Sequence, residues 1–249
     1  EQVRAAGYKV YVDTRVDCMH IGDMYVNKAW VESYHKSDMD NVLLDTVKGY
    51  AEEANWWDEI WMDSNIRNIG RRKDPILNAL RDHIPKGVTV ADFGCGDGGM
   101  LVSFKEELDC EVYGYDFSHE SIRFLKRFDI EGEIADIRKH NLNGESYHTV
   151  LFSHVLEHLK DEDIPNAMKV ISGMAEEQAF IIVPKEPTLH IEHKKIYDED
   201  MLRATVEPYF EDVDIKVIRG SPDTPKDYRH IIAHCRRPYV GKSFQEGRE

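Results

Sequence analysis

A chain of 249 residues with 41% apolar side chains holds one large domain or two small ones with a sizeable core. Its formal net charge of −15 is a poor basis for coating nucleic acid or an anionic membrane, which takes clustered Lys and Arg. No apolar run reaches the length of a membrane span and no signal peptide is visible, and the sequence opens on Glu1, as expected of a piece of a longer protein. Cys18, Cys95, Cys110 and Cys235 are widely spaced with no CxxC pair. That suits free thiols in a reducing, cytoplasmic setting and argues against a cysteine-based zinc site.

Residues 1–47 read as an N-terminal extension. Its segment AAGYKVYVDTRVDCMHIG resembles the closing segment of family-2-type glycosyltransferases, where a strand leads to a Cys-x-His end. The resemblance implies that His20 matches a metal-binding position of that family, and that a glycosyltransferase domain preceded this chain. Downstream, Trp56, Trp57 and Trp61 cluster in EEANWWDEIWMDSNIRNIGRRK, a pattern of core packing rather than of a lid. Arg67, Arg71, Arg72 and Lys73 suit a solvated face, or contacts to an anionic group. DPILNALRDHI predicts a helix capped by Asp74 with Pro75 at its first position.

From Thr89 onward strands and helices alternate. KGVTVADF reads as a buried strand, and the glycines of GCGDGG follow it at once. MLVSFKEEL then has helical spacing at Met100, Leu101, Phe104 and Leu108. Strand, glycine turn and helix make the first half of a nucleotide-binding βαβ unit, with the helix N-terminus toward a ligand. The turn asks what must approach this backbone so closely that side chains would obstruct it. DCEVYGYDF is the second strand, and SHESIRFLKRF is a helix capped by Ser118. EGEIAD and YHTVLFS are the third and fourth strands, followed by a helix over 163–174 and the apolar strand QAFIIVP. A helix over 199–206 precedes VDIKVIRG and RHIIAHCR, which lack a helical connection and should pair antiparallel. The pattern is an open, mainly parallel α/β sheet with helices on both faces.

Gly94, Gly96 and Gly99 satisfy G-x-G-x-x-G, a weak signal alone. Asp116 lies twenty residues after Gly96 at the end of the second strand, where a carboxylate can accept both hydrogen bonds of a ribose diol. NAD and S-adenosylmethionine (SAM) both contain adenosine. Three further features favour SAM: Asp92 before the glycines, Asp136 ending the third strand within reach of an adenine amino group, and SHVLEHL after the fourth strand.

The order VADFGCGDGG, VYGYDFS, GEIADI, VLFSHVLEHL, AFIIVP resembles the class I SAM-dependent methyltransferases over roughly Asp74 to Arg236. The resemblance implies a doubly wound, seven-stranded sheet whose last strand is inserted antiparallel, with the domain over 48–240 and a polar tail at 241–249. It also implies that Gly94, Cys95 and Gly96 line the methionine part of SAM and that Asp92 supports the loop and the cofactor's amino end. Asp116 would bind the ribose, Phe117 would pack on the adenine, and Asp136 with Ile137 would flank its edge. Ser153 would sit beside the sulfonium.

Methyl transfer needs alignment above all, and a hydroxyl nucleophile profits from a general base. His154 and His158 follow the fourth strand, where the family places catalytic and substrate groups, and are the candidate catalytic residues. Glu157 reads as structural. The chain lacks the Asn/Asp-Pro-Pro-Tyr motif of adenine and amide methyltransferases at this place, which favours oxygen as acceptor. His154, Glu157, His158, His190 and His193 also have metal-ligand chemistry, but scattered histidines near a cleft more often line it, so no metal ligand is assigned. HVLEH matches H-x-x-E-H, yet it follows a strand instead of lying within a long helix. The expected function is SAM-dependent methylation of a small-molecule, sugar or glycan hydroxyl. The alternatives are an NAD-binding oxidoreductase and a non-catalytic SAM-binding module of a larger glycan-assembly protein.

Overall fold

The computed structural model describes residues 2–5, 8–11, 18–21, 24–27, 75–141, 144–185, 193–220 and 229–239. The readings at Trp56, Trp57, Trp61, Arg67, Arg71, Arg72, Lys73, Asp74 and His190 lie outside these residues, and Cys18 and His20 are described by main chain alone. In the extension, β1 (Gln2–Ala5) pairs antiparallel with β2 (Tyr8–Tyr11), and β3 (Cys18–Ile21) with β4 (Met24–Asn27).

After α1 (Pro75–Arg81) the chain alternates. β5 (Thr89–Phe93), α2 (Gly99–Leu108), β6 (Glu111–Asp116), α3 (His119–Leu125) and β7 (Glu131–Ile134) form the first half. β8 (Tyr147–Ser153), α4 (Ile164–Met174), β9 (Ala175–Pro184), α5 (Glu199–Val206), β10 (Phe210–Arg219) and β11 (Arg229–Pro238) form the second. The seven strands lie in the order β10-β11-β9-β8-β5-β6-β7. β5 through β9 are mutually parallel, and β11 is inserted antiparallel between β9 and β10. This is the expected α/β architecture, including the antiparallel closing pair.

Strand periodicity divides the core into two layers. Val150 and Phe152 of β8, Ala179, Ile181 and Val183 of β9, and Ile231 and Ala233 of β11 point to one face, against Ala167, Met168 and Ile171 of α4 and Leu202 and Val206 of α5. Leu151, Phe180, Ile182 and Ile232 point to the other, against Ile76, Leu77 and Leu80 of α1, Leu101 and Phe104 of α2, and Ile122 and Leu125 of α3. The central strands are apolar on both faces because helices cover both faces. Local signals agree with this packing: Ser118 caps α3 by accepting from the Ser121 N–H, and Asp198 caps α5 by accepting from the Met201 N–H.

Candidate functional site

Strand order reverses beside β5, with β6 and β7 on one side and β8 and β9 on the other. The loops leaving β5 and β8 therefore diverge and open a crevice at the carboxyl ends of the strands, where open α/β sheets bind ligands.

The glycine loop forms one wall. Gly94, Gly96 and Gly98 have φ of 86°, 52° and 71°, in the left-handed region. The Gly94 and Cys95 N–H groups both donate to the Tyr115 carbonyl, at 2.7 and 3.1 Å, and so fasten the loop to β6. A Cβ on Gly94 would lie 2.2 Å from Val155 Cγ2, and one on Gly98 2.3 Å from Leu125 Cδ2. What comes so close to this backbone is thus partly the chain itself. Val155 belongs to the segment after β8, so the glycine loop and the histidine segment are packed directly together. At the start of α2, Asp97 Oδ1 accepts from the Gly99 N–H at 2.9 Å and occupies the helix end with a carboxylate.

Three buried carboxylates surround this loop: Asp92, Asp97 and Asp116. Asp116 Oδ2 accepts from the Gly96 N–H and Oδ1 from the Ser118 N–H, each at 2.9 Å. The side chain expected at a ribose therefore also shapes the loop. Asp92 is pushed up to about 7 by its burial first, and then by the charges of Asp116 and Asp97. Its Oδ1 accepts no hydrogen bond among the described residues. Burial first, and then the charges of Asp116 and Asp92, push the Cys95 thiol well above its ordinary value, so its neighbours disfavour a thiolate nucleophile.

The ends of β6 and β7 form the second wall. Asp136 is clamped by Arg138, with Nε to Oδ1 at 2.6 Å and Nη2 to Oδ2 at 2.9 Å. The Arg138 guanidinium lies 5.6 Å from the centroid of the Phe117 ring. Ile137 has its side chain in the core, so its main chain is what it offers a ligand. Asn166 of α4 donates to the carbonyls of Ile137 and Arg138, each at 3.2 Å, and fixes this turn.

The third wall follows Ser153, the last residue of β8. His154 is a non-glycine residue at φ 56°, held there by its N–H donating to the Ile182 carbonyl at 2.9 Å. Its Nδ1 lies 3.2 Å from Glu157 Oε1 and its Nε2 lies 3.1 Å from His230 Nδ1. Burial of Glu157 alone would raise its carboxyl, but the hydrogen bond from His154 and the neighbouring His154 and His158 rings hold it below the usual carboxylate range. His230 is pushed down to about 3 by burial and then by His154, against an opposing pull from Glu157, and is neutral at neutral pH. Ionised Glu157 therefore takes the Nδ1–H of His154, and His154 faces neutral His230 through Nε2. His158 instead meets His193, with ring centroids 4.9 Å apart and edge-on. The Lys194 and Lys195 N–H groups donate to the Glu157 carbonyl at 2.7 and 3.2 Å, which docks the His193 segment on the turn after β8.

The structure therefore separates the two histidines singled out in the sequence: His154 pairs with His230, His158 with His193, and Glu157 stands between the pairs. His230 was not legible as a site residue. Its position follows from topology, because β11 runs opposite to β8 and β9. Its first residues reach the end of the sheet where β8 and β9 finish, and His230 pairs with Pro184. Arg138 and Asn166 carried no motif signal either.

The strand order, the glycine loop after the central strand and the acidic residue ending the next strand make up a Rossmann-like methyltransferase fold, whose cofactor is SAM. Residues 90–177 match the family model described as a methyltransferase domain. Among curated proteins, the chain is 28% identical over 126 residues to (S)-tetrahydroprotoberberine N-methyltransferase of Eschscholzia californica, covering 47% of this chain and 34% of that one. It is 26% identical over 127 residues to N-methyltransferase 4 of Papaver somniferum, again over 47% of this chain and 34% of the relative. The match thus spans about a third of these relatives' length. Among solved structures, the N-methyltransferase NodS of Bradyrhizobium japonicum WM9, in complex with S-adenosyl-L-homocysteine, has a TM-score of 0.56 at 13% identity, covering 74% of this chain and 98% of that chain. The N-terminal domain of EvdMO1, in the presence of S-adenosylhomocysteine and D-fucose, has a TM-score of 0.51 at 14% identity over 68% and 84% of the two chains. These likenesses are of fold. The buried carboxylates fit the cofactor: SAM carries a sulfonium and an ammonium, and positive charge beside Asp92 would favour its ionised form. No helix among the described residues is long and apolar enough to cross a membrane.

Proposed function

We propose that the protein transfers a methyl group from SAM to a hydroxyl of a small molecule or sugar, and that the His154–His230 pair takes the hydroxyl's proton. The observation that carries this reading is the chain Glu157–His154–His230 in the crevice, with His154 held at positive φ. Bound SAM would supply an activated methyl group. The protein's part is to hold both partners in line and to manage one proton. The main chain of Gly94, Cys95 and Gly96 would line the methionine moiety, with Asp92 near its ammonium. Asp116 would take the ribose diol. Phe117 would pack on the adenine, Asp136 with the main chain of Ile137 would flank its edge, and Ser153 would lie beside the sulfonium.

Both nitrogens of His154 are engaged, so the proton enters through the pair rather than onto a free lone pair. It comes to rest on His154, because buried His230 resists a charge while ionised Glu157 stabilises an imidazolium on His154. A positioned base of this kind contributes roughly 10²–10⁴-fold. His158 faces His193 and lies outside this relay.

A second reading is methylation of a small-molecule amine, supported by the two curated relatives, both N-methyltransferases. An ammonium acceptor must also lose a proton, and the same relay serves it. Buried free thiols at Cys95, Cys110 and Cys235 support a reducing, cytoplasmic setting. A glycan-assembly context rests on the segment before residue 23 and on the sugar present with EvdMO1.

The test is methyl-labelled SAM with matched hydroxyl and amine acceptors, sugars included, with products read by mass spectrometry. Label on a hydroxyl, lowered at least a hundredfold by His154→Gln with SAM affinity kept, is the expected result. Label on amines alone selects the second reading. Full activity of His154→Gln removes the proton relay.

A further inference from the structure

We infer that Glu157, His158 and His193 form a binding site for a first-row transition dication of the zinc type, beside the proton relay and sharing Glu157 with it. Each residue offers one ligand atom, and the three atoms lie within 4.8 Å of one another. Two independent features support a ligand at this point. First, Glu157 is 1% exposed, and its Oε2 accepts no hydrogen bond among the described residues, while Oε1 is already held by His154. A buried carboxylate oxygen with no donor is costly unless a ligand completes it. Second, His193 is not a stray loop residue: the main-chain bonds from Lys194 and Lys195 to the Glu157 carbonyl hold its segment on the turn that carries the other two ligands.

The donor set selects the ion. Two imidazoles and one carboxylate suit zinc, iron, cobalt or nickel, whereas magnesium and calcium prefer oxygen alone. An ion about 2.1 Å from each donor needs the donors roughly 3–3.5 Å apart. The present separation therefore closes by about 1 Å or more on binding, within reach of side-chain rotation. His154, donating to Glu157 Oε1, orients the carboxylate from behind, as outer partners of metal ligands do. Three protein ligands leave at least one position for water or an acceptor oxygen. Use of that position in methyl transfer rests on the proposed function, but the site itself does not.

The test uses tag-free protein stripped with chelator and titrated with Co²⁺, whose visible absorption reports tetrahedral nitrogen and oxygen ligation, followed by Zn²⁺ competition and metal analysis after gel filtration. One equivalent of metal per chain, with Mg²⁺ failing to compete, is expected. His193→Ala, which spares the Glu157–His154–His230 relay, should weaken Co²⁺ binding at least tenfold with an unchanged thermal melt. His158→Ala should do the same. Binding of less than a tenth of an equivalent by the wild type overturns the inference, as does unchanged Co²⁺ affinity in His193→Ala. Because metal binding is read without turnover, a failure of the methyl-transfer reading leaves this result interpretable.

Discussion

Asp92 is the residue whose replacement separates stability from function most sharply. It is 2% exposed, and its carboxyl lies at about 7 in the fold against an ordinary 3.8, raised by burial and then by Asp116 and Asp97. Because the folded value is the higher, the folded protein holds a proton that the unfolded chain releases. The stability from this proton is fully present below pH 3.8 and is lost as pH rises through about 7. The slope is about 1.4 kcal/mol per pH unit within that window, so about 2–3 kcal/mol vanishes between pH 5 and pH 7. Asp92→Asn removes the titration. Urea unfolding at several pH values, without SAM, should show the wild type losing about that much relative to the variant across these two units. SAM binding should act in the opposite sense: its positive charge ionises Asp92, so at pH 7 binding releases up to about half a proton. Calorimetry in buffers of different ionisation enthalpy reads this directly, and the release should disappear in Asp92→Asn along with part of the affinity. Parallel stability profiles for the two proteins from pH 5 to pH 7 would refute the reasoning.

Gly94→Ala puts a Cβ 2.2 Å from Val155 Cγ2 at φ 86°. It should cost about 2–4 kcal/mol, with the overpacking part restored by Val155→Ala and the backbone part retained, as a double-mutant denaturation cycle would measure. Glu157→Gln should slow methyl transfer at least tenfold in single-turnover assays, because the His154 imidazolium loses its anion, while SAM affinity stays near wild type. Asn166→Ala frees the Ile137 and Arg138 carbonyls and should weaken SAM binding by no more than about 1.5 kcal/mol without touching the chemical step, a split visible by comparing calorimetry with single-turnover rates.

The sheet was legible because its signals were local and repeated. Apolar runs such as QAFIIVP are buried on both faces, and the predicted cap Ser118 stands where its helix starts. The antiparallel closing pair was legible from the missing helix between VDIKVIRG and RHIIAHCR, and the insertion of its last strand from the family resemblance alone. The proximity of the glycine loop and Asp116 was legible for the same reason: Gly94, Gly96 and Asp116 lie at fixed offsets along one βαβ unit, and Asp116 accepts from the Gly96 N–H. What stayed hidden was formed by distant segments. His230 is 76 residues from His154 and meets it only because β11 is inserted beside β9. The Arg138 clamp on Asp136 depends on a turn with no sequence signature. Glu157, which suggested only a structural role, accepts main-chain bonds at its carbonyl and the His154 ring at its carboxylate, a division no residue pattern displays.

The central claim is that the crevice at the ends of β5, β6 and β8 is built for SAM. Calorimetric titration of the purified protein with SAM and with NAD, repeated for Asp116→Ala, tests it most directly. The account predicts one SAM site per chain, NAD binding far weaker, and a loss of about 1.5–3 kcal/mol of SAM affinity in Asp116→Ala for each charge-assisted hydrogen bond removed. NAD binding as tightly as SAM, or SAM affinity unchanged by Asp116→Ala, would contradict it.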